Sequence, residues 1–146
     1  MASLNCSLRS IAAFLAVLGT GVVVGYAYAQ SHRQPPTEHK GVGVVKLGAL
    51  SEKSLQTQIG LSGYVMQLRE ITLAPGGQIA KHSHANRPGL VWTLSGSWTE
   101  GRAGGEKKYP ASLKTALLED ENTEHWFWND GTEPVRVVVC DVVPAQ

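Results

Sequence analysis

The sequence predicts an all-β fold, a sandwich or a barrel, and three observations carry that prediction. Short runs rich in Val, Ile, Thr and aromatic residues recur from residue 42 to residue 143, separated by Gly, Pro, Asn and Asp. No stretch of this region carries a convincing amphipathic helical period. The chain has 146 residues, of which a little over 110 remain once the N-terminal part is set aside, enough for one core.

Residues 1–29 read as an export signal. Arg9 ends a short n-region, Ile11 to Tyr26 is apolar, and Ala27-Tyr28-Ala29 is an A-x-A cleavage pattern. Cleavage after Ala29 would leave a periplasmic or secreted protein with no stable membrane association. The rival reading is an uncleaved anchor, because Ile11 to Ala29 gives 19 uncharged residues, just enough to span roughly 30 Å of hydrocarbon. Residues 30–40, with Pro35, Pro36, His32 and His39, lack periodicity and read as a flexible linker with solvated histidines. The domain proper is then 41–146.

Within the domain, Val42 to Leu47 suits a first strand, and Ser51 to Gly60 is polar and turn-like, with room for a short helix. Gly63 to Leu73 is a strand closed by the turn Ala74-Pro75-Gly76-Gly77. Further strands are expected at 78–84, 90–94, 98–102, 107–109, 115–118, 125–128 and 135–143. Ala103-Gly104-Gly105 joins two of them as a hairpin loop.

Formal net charge is +1, and Arg9 is the only charged side chain in the first 29 residues, so the mature chain balances twelve basic against twelve acidic groups. A near-neutral chain without a basic run argues against nucleic acid or an anionic membrane as partner. Cys140 is the only cysteine outside the export segment, which excludes an intramolecular disulfide in the mature chain. It lies in the β-branched run Val137 to Val143 and reads as an inert packing thiol.

The chemistry-bearing pattern is His82-Ser83-His84, followed by His125 and Asn129. In a strand, residues i and i+2 share a face, so His82 and His84 aim two imidazoles at one point. His125 from another strand would complete a three-histidine site. Three neutral imidazoles suit a divalent transition metal (Fe, Mn, Zn, Ni or Cu) and leave a coordination position for water or substrate. The competing reading is a polar pocket lined by the same histidines without metal.

These residues resemble the cupin superfamily. Gly76, His82, His84 and Gly96 fall at fixed places of its first motif, but Gly89 stands where the motif has glutamate. In the second motif only His125 and Asn129 match, while Lys114, Asp120 and Asn122 occupy the other fixed places. The resemblance covers roughly residues 64–143. It implies a jelly-roll β-barrel whose metal is held by His82, His84 and His125 without the usual acid, leaving the ion's +2 charge uncompensated. A three-histidine site of this kind also resembles the thiol dioxygenase branch of cupins.

Phe127 and Asn129 share the face of His125 and are expected to contact a small-molecule ligand, although Asn129 before Asp130-Gly131 equally suits a turn cap. Arg87, in the loop after His84, is placed to meet a substrate carboxylate, with a solvated arginine as the alternative. The acidic cluster Glu119, Asp120, Glu121 and Glu124 offers a carboxylate near the metal but reads as a solvated turn. The same face arithmetic turns Trp92, Trp126 and Trp128 outward, where they suit a homodimer surface or a covering N-terminal segment; a register-shifting bulge would instead make them core.

No Gly-rich phosphate loop, G-x-S-x-G elbow or Cys-x-x-Cys pair occurs. Three function classes follow: an exported metal-dependent enzyme acting on a small molecule, dioxygenase chemistry among the options; a non-catalytic metal or small-ligand binding module; and a scaffold with a vestigial site.

Overall fold

Alternation of inward and outward side chains along long strands determines this architecture. The computed structural model describes residues 33–145. The expected export signal at 1–29, its expected cleavage after Ala29 and the anchor alternative lie outside the described residues. Strands are β1 (Lys40–Leu50), β2 (Tyr64–Ser83), β3 (Gly89–Ser95), β4 (Ser97–Arg102), β5 (Gly105–Pro110), β6 (Leu117–Glu119), β7 (Glu124–Trp128) and β8 (Val135–Pro144). An α-helix, α1 (Glu52–Ile59), follows β1, and a short 3-10 turn spans Ala111–Leu113 between β5 and β6. Its start is capped by Ser51 Oγ, which accepts from Ser54 N–H at 3.2 Å, and it ends at Gly60 in the left-handed region.

All pairings are antiparallel, in the order β5-β4-β7-β2-β8-β3-β6, with β1 also on β2. The first half of β2 lies between β1 and β8, while its second half pairs with β7. One strand thus serves both layers of an all-β jelly roll. The sequence suggests two strands separated by a turn at 74–77, whereas β2 runs through and bends. Gly76 takes φ +66°, and its N–H donates to Asn129 O while Asn129 N–H donates to Gly77 O. A Cβ on Gly77 would lie 2.7 Å from Ala74 O and 2.9 Å from Lys40 O, so only glycine lets the chains meet here.

Period two fills the interior. On β8, Val135, Val137, Val139 and Asp141 are buried, and the residues between them are more exposed. With Leu73, Ile79, Val91, Trp98, Tyr109, Leu117 and Phe127 these valines form the core. Trp98 stacks on Phe127 with ring centroids 3.9 Å apart.

Three expectations are corrected. Residues 36–40 are not a free linker: Pro36 O accepts from Lys81 N–H, Glu38 O from Gln78 Nε2, and His39 Nδ1 from Ala80 N–H. The open side of β2 beyond its β1 pairing offers those donors, and the segment satisfies them. Trp126 and Trp128 do point away from His125, as alternation requires, but both are buried, with Trp126 laid across Gly101 and edge-on to Trp128. Only Trp92 of the three is exposed, and it belongs to an outer apolar face with Leu68, Leu90, Leu94 and Leu118. Cys140 is half-buried and lies on that same outer face rather than in the core, in register with Leu68 on one side and Leu90 on the other.

Candidate metal centre

His82 sits near the end of β2 directly across from His125 on β7. β2 ends at Ser83, and a tight turn with Arg87 N–H donating to His84 O folds His84 inward, where it is 1% exposed. His125 is completely buried. The three imidazoles are 4.7 to 5.0 Å apart between ring centroids, and one ligand atom from each lies within 4.8 Å of the others.

The hydrogen bonds fix the tautomers. His82 Nδ1 meets Ala80 O at 2.8 Å and His84 Nδ1 meets Arg87 O at 2.9 Å; a carbonyl only accepts, so each Nδ1 carries the proton. His125 Nδ1 donates to Glu100 Oε1 at 2.7 Å. Each ring is therefore left with an unprotonated Nε2. Nε2 of His84 and of His125 face each other at 3.1 Å, two lone pairs that repel unless a cation lies between them. This donor set fits a divalent transition metal, with Glu100 and the two carbonyls orienting the ligands from behind.

Electrostatics agree. Burial, reinforced by charge repulsion from neighbouring imidazoles and Arg87, pushes His82 and His84 down to about 4, so both are neutral ligands at neutral pH. For Glu100, burial favours the neutral acid, but hydrogen bonds from His125 and Arg102 outweigh it and hold the carboxyl below its ordinary range.

Beside the histidines lies a cavity of about 440 Å³. Val42, Ile71, Val91, Trp98, Phe127 and Val139 supply apolar walls, and His82, Glu119, Arg69 and Arg87 gather at its polar part. Arg69 Nη2 donates to the buried Asp141 Oδ2 at 2.6 Å, and Arg87 Nε lies 3.5 Å from the same oxygen. Nε of both arginines is buried without a hydrogen-bond partner.

Of the residues singled out in the sequence, His82, His84 and His125 converge, and Phe127 and Arg87 line the adjoining cavity. Asn129 is corrected to a structural role: its Nδ2 donates to Leu73 O and Glu133 O, its Oδ1 accepts from Gly131 N–H, and it is buried and does not line the cavity beside the histidines. The acidic cluster divides. Asp120, Glu121 and Glu124 are exposed, but Glu119, the last residue of β6, is turned inward and is 6% exposed. Its Oε2 lies 3.4 Å from His84 Nδ1 and its Oε1 3.6 Å from His125 Nε2. Burial raises its carboxyl to about 7.

Motif reading misses Glu100, Arg69 and Asp141, and takes Glu119 for part of a solvated turn. Strand alternation marks them: Leu117 with Glu119, Trp98 with Glu100, Leu73 with Arg69, and Val139 with Asp141.

The profile of the cupin domain family matches residues 69–141, half of the chain. Among solved structures, the cupin domain of an XRE family transcriptional regulator from Enterobacter cloacae is 18% identical with TM-score 0.53, covering 73% of this chain and 100% of that one. A predicted oxalate decarboxylase from Thermotoga maritima is 16% identical with TM-score 0.54, covering 75% and 94%. The cupin domain of Schizosaccharomyces pombe Cnp3 is 11% identical with TM-score 0.55, covering 77% and 68%. These likenesses show the fold. No curated protein sequence matches the chain.

Proposed function

Because the chain belongs to the cupin domain family, we propose that it binds one divalent transition metal through His82, His84 and His125 and acts on a small anionic molecule beside it. The observation that carries this reading is the convergence of three imidazoles whose Nδ1 atoms are all committed to oxygen acceptors. A bound metal would serve as Lewis acid or oxygen-activating centre, dioxygenase-like chemistry included. Arg87 and Arg69 supply the positive charge that orients a carboxylate, and Phe127, Val91 and Ile71 hold an apolar body. A non-catalytic metal or ligand binding module is the second reading, favoured by a cavity lining that holds no cysteine and whose one serine, Ser83, has its Oγ engaged by Ala85 N–H rather than by a base. The apolar run and A-x-A pattern of residues 11–29 support export as the setting for either activity.

Elemental analysis of untagged protein tests the metal. We expect close to one transition metal per chain, lost in His82→Ala and in His125→Ala; metal-free wild type sinks the reading. Product formation from small carboxylates by the loaded protein, weakened in Arg87→Ala, then separates enzyme from binder.

We also assign the outer apolar face to a second copy of the chain. Leu68, Cys140, Leu90 and Leu118 are in register across four adjacent strands, a continuous apolar row. Light scattering should give twice the chain mass, reduced to the monomer by Leu90→Lys; a monomeric wild type removes this interface.

A further inference from the structure

We propose that Glu119 is the anionic ligand of this metal centre, displaced by one strand from the position the first cupin motif reserves for it, and that Gly89 is glycine in order to admit it. The inference rests on the three-histidine reading and adds the ligand that reading lacks.

Gly89 on β3 and Glu119 on β6 are cross-strand partners. A Cβ built on Gly89 would lie 2.5 Å from Glu119 Oε2 and 3.2 Å from Asp141 Cβ. The Glu119 carboxylate therefore occupies the space into which a side chain at position 89 would project. Loss of the acid at one position and gain of an inward acid beside it are one steric exchange.

Glu119 is also aimed correctly. Its side chain is 5% exposed, Oε1 is 3.6 Å from His125 Nε2, and Oε2 is buried with no hydrogen-bond partner. A buried carboxylate oxygen in that condition is costly unless a cation or donor meets it. Ligand atoms sharing one ion at bonds of about 2.0–2.2 Å stand roughly 3 to 3.6 Å apart, which matches both this separation and the 3.1 Å between the Nε2 atoms of His84 and His125. A carboxylate there offsets half the charge of a divalent ion, which the three neutral imidazoles leave uncompensated.

The test titrates Co²⁺ into metal-free protein against a competing chelator, reading affinity and the visible absorption bands that report coordination, with circular dichroism to show that each variant is folded. Glu119→Gln keeps size and should weaken Co²⁺ binding about 100-fold and alter the spectrum. Gly89→Ala should weaken it in the same direction although every ligand is present. The exchange variant Gly89→Glu/Glu119→Gly should recover most of the loss. Glu119→Gln binding within about threefold of wild type with an unchanged spectrum overturns this ligand while leaving the histidine centre standing. Wild type that binds Co²⁺ no better than His82→Ala overturns both. An exchange variant no tighter than Glu119→Gln overturns the steric exchange.

Discussion

Phe127→Ala will destabilise the domain by about 3–5 kcal/mol, the usual cost of emptying a buried aromatic site. Phe127 is 2% exposed, stacked on Trp98 at 3.9 Å and edge-on to His125 at 4.6 Å, so one ring joins the core to the metal centre. The stack and the edge contact each add about 0.5–1.5 kcal/mol beyond burial. A domain of this size is stable by only about 5–15 kcal/mol, so roughly a fifth or more of the total is at stake. Phe127→Leu keeps most of the volume and should cost nearer 1 kcal/mol. Urea unfolding of the metal-free variants measures both. A Phe127→Ala midpoint close to that of Phe127→Leu would show that the core closes over the gap and that the ring does not brace the site.

Acidity is the second large lever. In metal-free protein His82 and His84 titrate near 4 instead of 6.5, so between pH 4.5 and 6.5 the unfolded chain holds two protons there that the folded chain does not. Glu119 is displaced upward from 4.5 to about 7, so the folded chain holds one proton that the unfolded chain has released. The net difference is one proton in favour of the unfolded state, and stability must rise with pH across this window by about 1.4 kcal/mol per unit. The rise will be somewhat shallower because His82 keeps some access to water. Glu119→Gln removes the opposing contribution and should steepen the slope to about 2.7 kcal/mol per unit. Glu70, Glu100 and Asp120 are displaced downward, so their contributions fall below this window. Unfolding free energies at several pH values decide the matter, and equal slopes for wild type and Glu119→Gln would contradict the buried, protonated carboxyl.

Much of the site was legible because it is encoded locally. His82 and His84 are two residues apart, and the pattern that runs from His125 through Phe127 to Asn129 orders itself by strand alternation alone. The exposure of Leu90, Trp92 and Leu94 around the buried Val91 follows from the same rule. Alternation says which face a residue takes but not what covers that face. Alternation therefore puts Trp126 and Trp128 on the correct side of β7 but does not reveal their burial, which depends on β4 pairing alongside, with Gly101 against Trp126 and Thr99 in register with Trp128. Asn129 was ambiguous for a similar reason. Its partners Leu73 O and Glu133 O come from a distant strand and from the following loop, and only their approach commits the amide to backbone.

The all-β architecture, the family and the three imidazoles are encoded locally, in spacings of two residues and in short motifs. Which acids meet those imidazoles depends on how the strands pair. Glu100 reaches His125 from β4, and Glu119 reaches the site from β6 by filling the place left at Gly89. The physical reason is register: a cross-strand neighbour is set by hydrogen-bonded pairing between segments 25 and 30 residues apart in the chain, and no local spacing records it.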